Sequence, residues 1–244
     1  MSPFPVLFIL GFALRTTLGL SGTSPAASCD YQGIAAATFA SSTYCNGVIF
    51  GGKLLIPDIC GTYLDQLNKF GAITVYYADG AEKYELTSYS ATTSNGITSV
   101  DLPGFSASGC FQEATLYDKS SHTLDPSTCV LASYGGTSAT DTQYDGTLET
   151  VPLTKVTGVD CCKTLYPTLK NELNTVPDSS VPLNCVTSTG AACGLADTGA
   201  PIYCDTTTGQ KVVTGLTAST TCDVGGTTLV LDLSDADPDF KFGY

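Results

Sequence analysis

The stretch CGLADTGAPIYC, running from Cys193 to Cys204, decides the fold. Its centre, Asp197-Thr198-Gly199-Ala200-Pro201, reads as a tight turn held between two cysteines. Outward from it, the chain breaks into short segments with strand alternation. Ile73, Val75 and Tyr77 alternate in AITVYYAD, and Leu229, Leu231 and Leu233 alternate in TTLVLDL. Turn pairs punctuate these runs: Asp79-Gly80, Asn95-Gly96, Asp145-Gly146 and Gly225-Gly226. The composition favours Thr, Ser, Gly and Val over Lys, Glu and Arg, which suits a pleated, half-buried surface. The reading is an all-β protein of many short strands, a sandwich or a barrel. One helix is expected, over Lys163–Leu173 (KTLYPTLKNEL). The acidic tail LSDADPDFKFGY, with Pro238, reads as a frayed short helix or a disordered end.

Residues 1–20 contain an apolar run from Phe4 to Leu14 followed by small residues, the texture of a secretory signal peptide. The run is too short for a bilayer-spanning helix, which requires roughly 20 apolar residues. The mature chain is then 21–244, with cleavage anywhere between Gly19 and Ala27. Eleven cysteines in a secreted chain imply disulfides and leave at least one thiol over. The net charge is -13, and Arg15 is the only arginine, so the surface repels nucleic acid and anionic membranes. No Asn opens an Asn-x-Ser/Thr sequon. Cysteine and histidine spacing offers no zinc site, the density of Asp after Asp235 reads as a solvated tail, and no cofactor is expected.

Six segments, in order, resemble those of the chymotrypsin-like (S1) serine proteases. CGLADTGAPIYC is similar to the family's CxGDSGGPLxC nucleophile segment. YCNGVIFGGKLLIPDIC (Tyr44–Cys60) resembles FCGGSLI...VLTAAHC, and CFQEATLY from Cys110 resembles the NDIALLKL strand. CVLASYGG from Cys129 resembles CxxxGWG, with Tyr134 for the tryptophan. PLTKVTGVDCCKTLYP and VVTGLTAS from Val212 are similar to later family segments. The resemblance spans about residues 29–235. It implies two six-stranded Greek-key β-barrels, the first over about 29–135 and the second over about 136–235, with a cleft between them. It also implies the disulfides Cys45–Cys60, Cys129–Cys204, Cys162–Cys185 and Cys193–Cys222. Of the remaining cysteines, Cys29 and Cys110 are expected to pair, which leaves Cys161.

The resemblance carries the fold and not the chemistry. S1 hydrolysis needs a base beside the nucleophile and a carboxylate behind the base. The histidine position is Ile59, the aspartate position lines up with Gln112, and the nucleophile position is Thr198. Glu113, one residue on, would restore a carboxylate if the alignment slipped. The only histidine, His122, lies in a loop. The oxyanion segment is one residue longer than the family's and holds Ala196, and no Ile-Val-Gly-Gly terminus follows a basic residue. Without it, Asp197 is expected to cap a turn or face solvent. The implied function is that of a pseudoprotease acting by protein binding. In its lost triad and secretion the chain resembles the oomycete glucanase-inhibitor proteins, which implies an extracellular hydrolase such as a glucanase as partner. The alternative is a divergent hydrolase using Thr198 with Glu113 or His122.

Overall fold

The computed structural model describes residues 24–78, 81–135, 144, 146–157, 183–190, 197–219 and 227–233. The expected signal segment, the Lys163–Leu173 helix, the acidic tail, and Cys161, Cys162, Cys193 and Cys222 lie outside these. The described part is two β-units. β1 (Ser24–Ala26) comes first. β2 (Ile34–Phe39), β3 (Ser42–Phe50) and β4 (Lys53–Pro57) then lead into helix α1 (Asp58–Asn68). β5 (Ile73–Tyr77), β6 (Glu82–Leu86), β7 (Ala91–Ser94) and β8 (Ile97–Asp101) complete the first unit. Its sheet has the order β6-β5-β2-β3-β4-β8-β7. The two edges, β6 and β7, are consecutive in the chain, so the four residues 87–90 carry one bent strand from one edge to the other. That bend curls the sheet towards a barrel.

The second unit holds β9 (Leu124–Ser133), β10 (Leu148–Thr157), β11 (Leu183–Ser188), β12 (Pro201–Thr206), β13 (Lys211–Ser219) and β14 (Thr227–Asp232). β9 pairs with both β10 and β12, which closes the six strands into a barrel, and β1 adds to β10. The division between units falls ahead of Leu124, earlier than the expected boundary near 135. The reason is that β9 finds both its hydrogen-bonding partners in the second barrel.

Packing follows the residue pattern. β2, IAAATF, is buried on both faces: Ala35 and Ala37 line the interior of the first sheet, while Ile34 and Ala36 join the core shared with the second barrel. Small residues there let two layers meet over one strand. Ile73, Val75 and Tyr77 point inward as their alternation required. The β7–β8 turn is Asn95-Gly96, with φ of 49° and 76°, both in the left-handed region that a two-residue hairpin turn demands.

Helix α1 was not expected. The apolar spacing Cys60, Leu64, Leu67 is the i, i+4, i+7 stripe that signals it; Cys60 and Leu64 are buried against the first-sheet core and Leu67 packs beside them. Pro57 precedes the helix in extended conformation, as a residue with fixed φ and no N–H can do without loss. Among the described cysteines, Cys29–Cys110, Cys45–Cys60 and Cys129–Cys204 are bonded. Cys185 is also disulfide-bonded.

Candidate functional site

Where the two units meet, β3, the start of α1 and the turn Asp197–Gly199 converge. The Asn46 N–H donates to the Thr198 carbonyl at 2.8 Å, and the Gly199 N–H donates to the Thr217 carbonyl at 2.8 Å. Gly199 has φ 82°, and a methyl at its Cα would run into the Asn46 carbonyl and approach Pro57 Cδ to 3.1 Å. Only glycine fits this position. Pro57 thus abuts the turn, and Ile59 follows two residues later in the first turn of α1.

Behind the turn lies a buried polar network. The Asp197 Oδ1 accepts a hydrogen bond from the Ser133 hydroxyl at 2.6 Å. That hydroxyl in turn accepts from Asn46 Nδ2 at 3.1 Å and from the Gly135 N–H at 2.8 Å. Asn46 Oδ1 accepts from the Tyr134 N–H at 2.9 Å, and the Thr217 hydroxyl donates to the Asp197 carbonyl at 2.6 Å. Asn46, Ser133 and Asp197 are each 0% exposed. A carboxylate removed from water must be held by donors, and the fold supplies them. Asp197 is therefore fully enclosed, which corrects the expectation that it could face solvent.

The sequence missed Ser133 and Asn46. A signal was present at the second: Asn46 stands where the resembled FCGG segment has a glycine. Its amide can span the two units where a glycine could not.

Of the three expected triad positions, Thr198 and Ile59 lie on the elements that meet here, and Gln112 does not. Thr198 is buried at the turn, and its hydroxyl has no hydrogen-bond partner among the described residues. Ile59 is half-buried and packs on the first-sheet core. Gln112 is a correction. It lies in the segment between the units, exposed, with its N–H donating to Gln32 Oε1 at 2.7 Å. The neighbours of β4 are β3 and β8. Pro57 is paired with Ile97, and the Asp58 N–H donates to the Gly96 carbonyl at 2.8 Å. The residue facing the start of α1 from the adjacent strand is thus Gly96, in NGITSVDL, and not Gln112 in CFQEATLY.

The reserve candidates are committed elsewhere. The Glu113 carboxylate accepts from the Gly51 and Gly52 N–H groups at 2.6 and 3.1 Å. That turn is at the opposite end of β4 from Ile59, roughly 20 Å away at 3.3 Å per residue. His122 Nδ1 accepts from the Asp118 N–H at 3.0 Å within its own turn. No cluster of three or more His, Cys, Asp or Glu side chains that could hold a metal occurs among the described residues.

No protein-family model matches the chain, and no curated protein matches it in sequence. Solved structures do match in shape. Kallikrein-related peptidase 10 superposes with a TM-score of 0.58 at 16% identity, over 87% of this chain and 95% of that one. The secreted serine protease VesC from Vibrio cholerae gives 0.58 at 17% identity, over 88% of this chain and 46% of that one. Neuropsin, a serine protease expressed in the limbic system of mouse brain, gives 0.58 at 14% identity, over 89% and 96%. With a closed six-stranded barrel, a curled second sheet and the turn of CGLADTGAPIYC set between them, the chain carries the chymotrypsin-like fold of the trypsin-like serine proteases.

Proposed function

We propose that this protein is a secreted, non-catalytic relative of the trypsin-like serine proteases that acts by binding another protein. The observation that carries the reading is the surroundings of Thr198. Its hydroxyl has no hydrogen-bond partner among the described residues, Ile59 offers hydrocarbon where a base would stand, and Gly96 offers no side chain behind it. A hydroxyl without a base remains protonated near neutral pH and is a poor nucleophile.

The bonded cysteines favour an oxidising compartment. They fit residues 1–20 acting as a removable signal peptide, and among the described residues no helix is long and apolar enough to cross a membrane. The partner class follows from the resemblance to glucanase-inhibitor proteins: an extracellular hydrolase such as a glucanase, engaged across the cleft between the units.

Incubation with a fluorophosphonate probe and a broad peptide-substrate panel tests the central claim. No labelling and no turnover are expected; labelling at Thr198, or turnover abolished by Thr198→Ala, overturns it. The double variant Ile59→His, Thr198→Ser is expected to remain without measurable turnover, because position 96 still supplies no carboxylate to orient the new histidine and the oxyanion segment is unaltered. An endoglucanase inhibition assay tests the partner separately.

A further inference from the structure

Away from the cleft, a groove of about 640 Å³ opens between the two units. Its apolar wall is Phe50 at the end of β3, Leu55 in β4, Leu116 and Tyr117 in the segment between the units, and Leu233 just after β14. That segment is pinned from both sides, so the groove is preformed. The Ala114 N–H donates to the Ile49 carbonyl at 2.9 Å, the Tyr117 N–H to the Val213 carbonyl at 2.9 Å, and the Val213 N–H to the Thr115 carbonyl at 2.8 Å. A preformed, mostly apolar concavity of this volume, set between two units, has the form of a small-molecule site. Phe50 is 43% exposed, so its ring is open to a ligand.

The charges around the groove decide what fits it. Donors that would hold an anion are engaged by the chain itself. The Lys53 ammonium is 2.8 Å from Asp101 Oδ1, the Gly51 and Gly52 N–H groups donate to Glu113, and the Asp118 N–H donates to His122 Nδ1 at 3.0 Å. Lys119 is exposed and does not line the groove. Asp118 does line it. The Ser120 hydroxyl, the Ser120 N–H and the Ser121 hydroxyl donate to its carboxylate at 2.7, 2.8 and 2.8 Å, and they hold that carboxyl below its ordinary range. These donors are neutral, so they keep the charge without cancelling it. Burial first, then the charges of Asp118 and Asp232, raise the Tyr117 phenol above its ordinary value, so two carboxylates act on this wall. We propose that the groove binds a small amphipathic cation, an ammonium group carried on an aromatic or aliphatic body. The ammonium pairs with Asp118, and the body lies against Leu116, Phe50 and Tyr117, the two aromatic rings adding their own attraction for a cation. This assignment is independent of the cleft and of whether Thr198 is reactive.

The test uses the full chain with tryptamine as the probe. The chain has no tryptophan, so indole fluorescence anisotropy, excited beyond the tyrosine band, reports the probe alone. Saturable binding is expected at low ionic strength. Indolepropionate, which shares the ring system but carries a carboxylate, is expected to bind about tenfold more weakly or worse. Asp118→Asn is expected to lower the tryptamine affinity about tenfold and to close the gap between the two probes. Phe50→Ser, at an exposed position, is expected to weaken both probes alike. No saturable binding of tryptamine at millimolar concentration, equal affinity for the two probes, or unchanged tryptamine affinity in Asp118→Asn overturns the proposal. Phe50→Ser keeps the test decisive if Asp118→Asn disturbs the 118–122 turn, since unchanged tryptamine affinity in that variant overturns the proposal as well.

Discussion

Ser133 is the residue on which the junction between the units turns. One hydroxyl donates to Asp197 and accepts from both Asn46 and Gly135, so it satisfies a buried carboxylate and a buried amide together. Replacing it with alanine removes no volume to speak of but takes one hydrogen bond each from Asp197, Asn46 and Gly135. Ser133→Ala is therefore expected to cost about 2 to 3 kcal/mol in urea unfolding, well above a surface serine. Gly199 makes the complementary case, where backbone and not hydrogen bonding decides. Its φ of 82° and the Asn46 carbonyl leave no place for a methyl. Gly199→Ala is expected to destabilise by more than about 2 kcal/mol, read as a lowered melting temperature with the Cys129–Cys204 bond still formed.

Helix α1 is held to the first sheet from three sides. Cys45–Cys60 joins it to β3 across 15 residues, Leu64 is buried beneath it, and the Tyr89 hydroxyl donates to the Gly61 carbonyl at 2.9 Å. Burial, with Asp65 and Asp58 adding their charge, pushes the Tyr89 phenol up to about 12. A phenol raised in the folded state favours folding fully below pH 10, its unfolded value. That contribution is lost as pH climbs from 10 through 12. Alkaline unfolding is expected to be steep in this window and shallower in Tyr89→Phe, as followed by circular dichroism. Leu64→Ala is expected to cost about 2 to 4 kcal/mol. The helix also marks how much could be read from sequence. Strands such as Ile73–Tyr77 announced themselves because side-chain direction repeats every two residues and nothing distant was needed to see it. α1 carries the same kind of local pattern in Cys60, Leu64 and Leu67, but the resembled segment Tyr44–Cys60 ends at its first member and does not contain the spacing. Gln112 failed for another reason. Which residue faces Ile59 is set by the register between β4 and β8, a pairing of distant segments that a match to CFQEATLY does not contain.

Among the described residues the two units share a hydrophobic core. Ile34, Val48, Leu55 and Ile97 from the first unit pack with Tyr134, Tyr203, Val213 and Leu216 from the second. Tyr203 is fully buried; its hydroxyl donates to the Gln32 carbonyl at 2.8 Å, and burial raises it well above the usual phenol range. Because this core is common to both halves, equilibrium unfolding is expected to be a single transition by fluorescence and circular dichroism, while two separated transitions would mean that the units hold together only loosely. The fold was legible at this scale through ordered cysteine segments; the junction network was not, since Asn46, Ser133 and Asp197 are far apart in the chain.

The bond from Cys29 to Cys110 spans 81 residues and encloses every strand of the first sheet, β2 through β8. The first unit is thus a closed covalent ring. A single cut in any of its hairpins opens the ring without releasing a piece, and both new ends stay tethered beside their partners. On a gel such a nicked chain is expected to run intact until reductant is added, then to separate into two fragments. That circular topology turns a first cleavage from a loss of material into a wound the fold can hold closed.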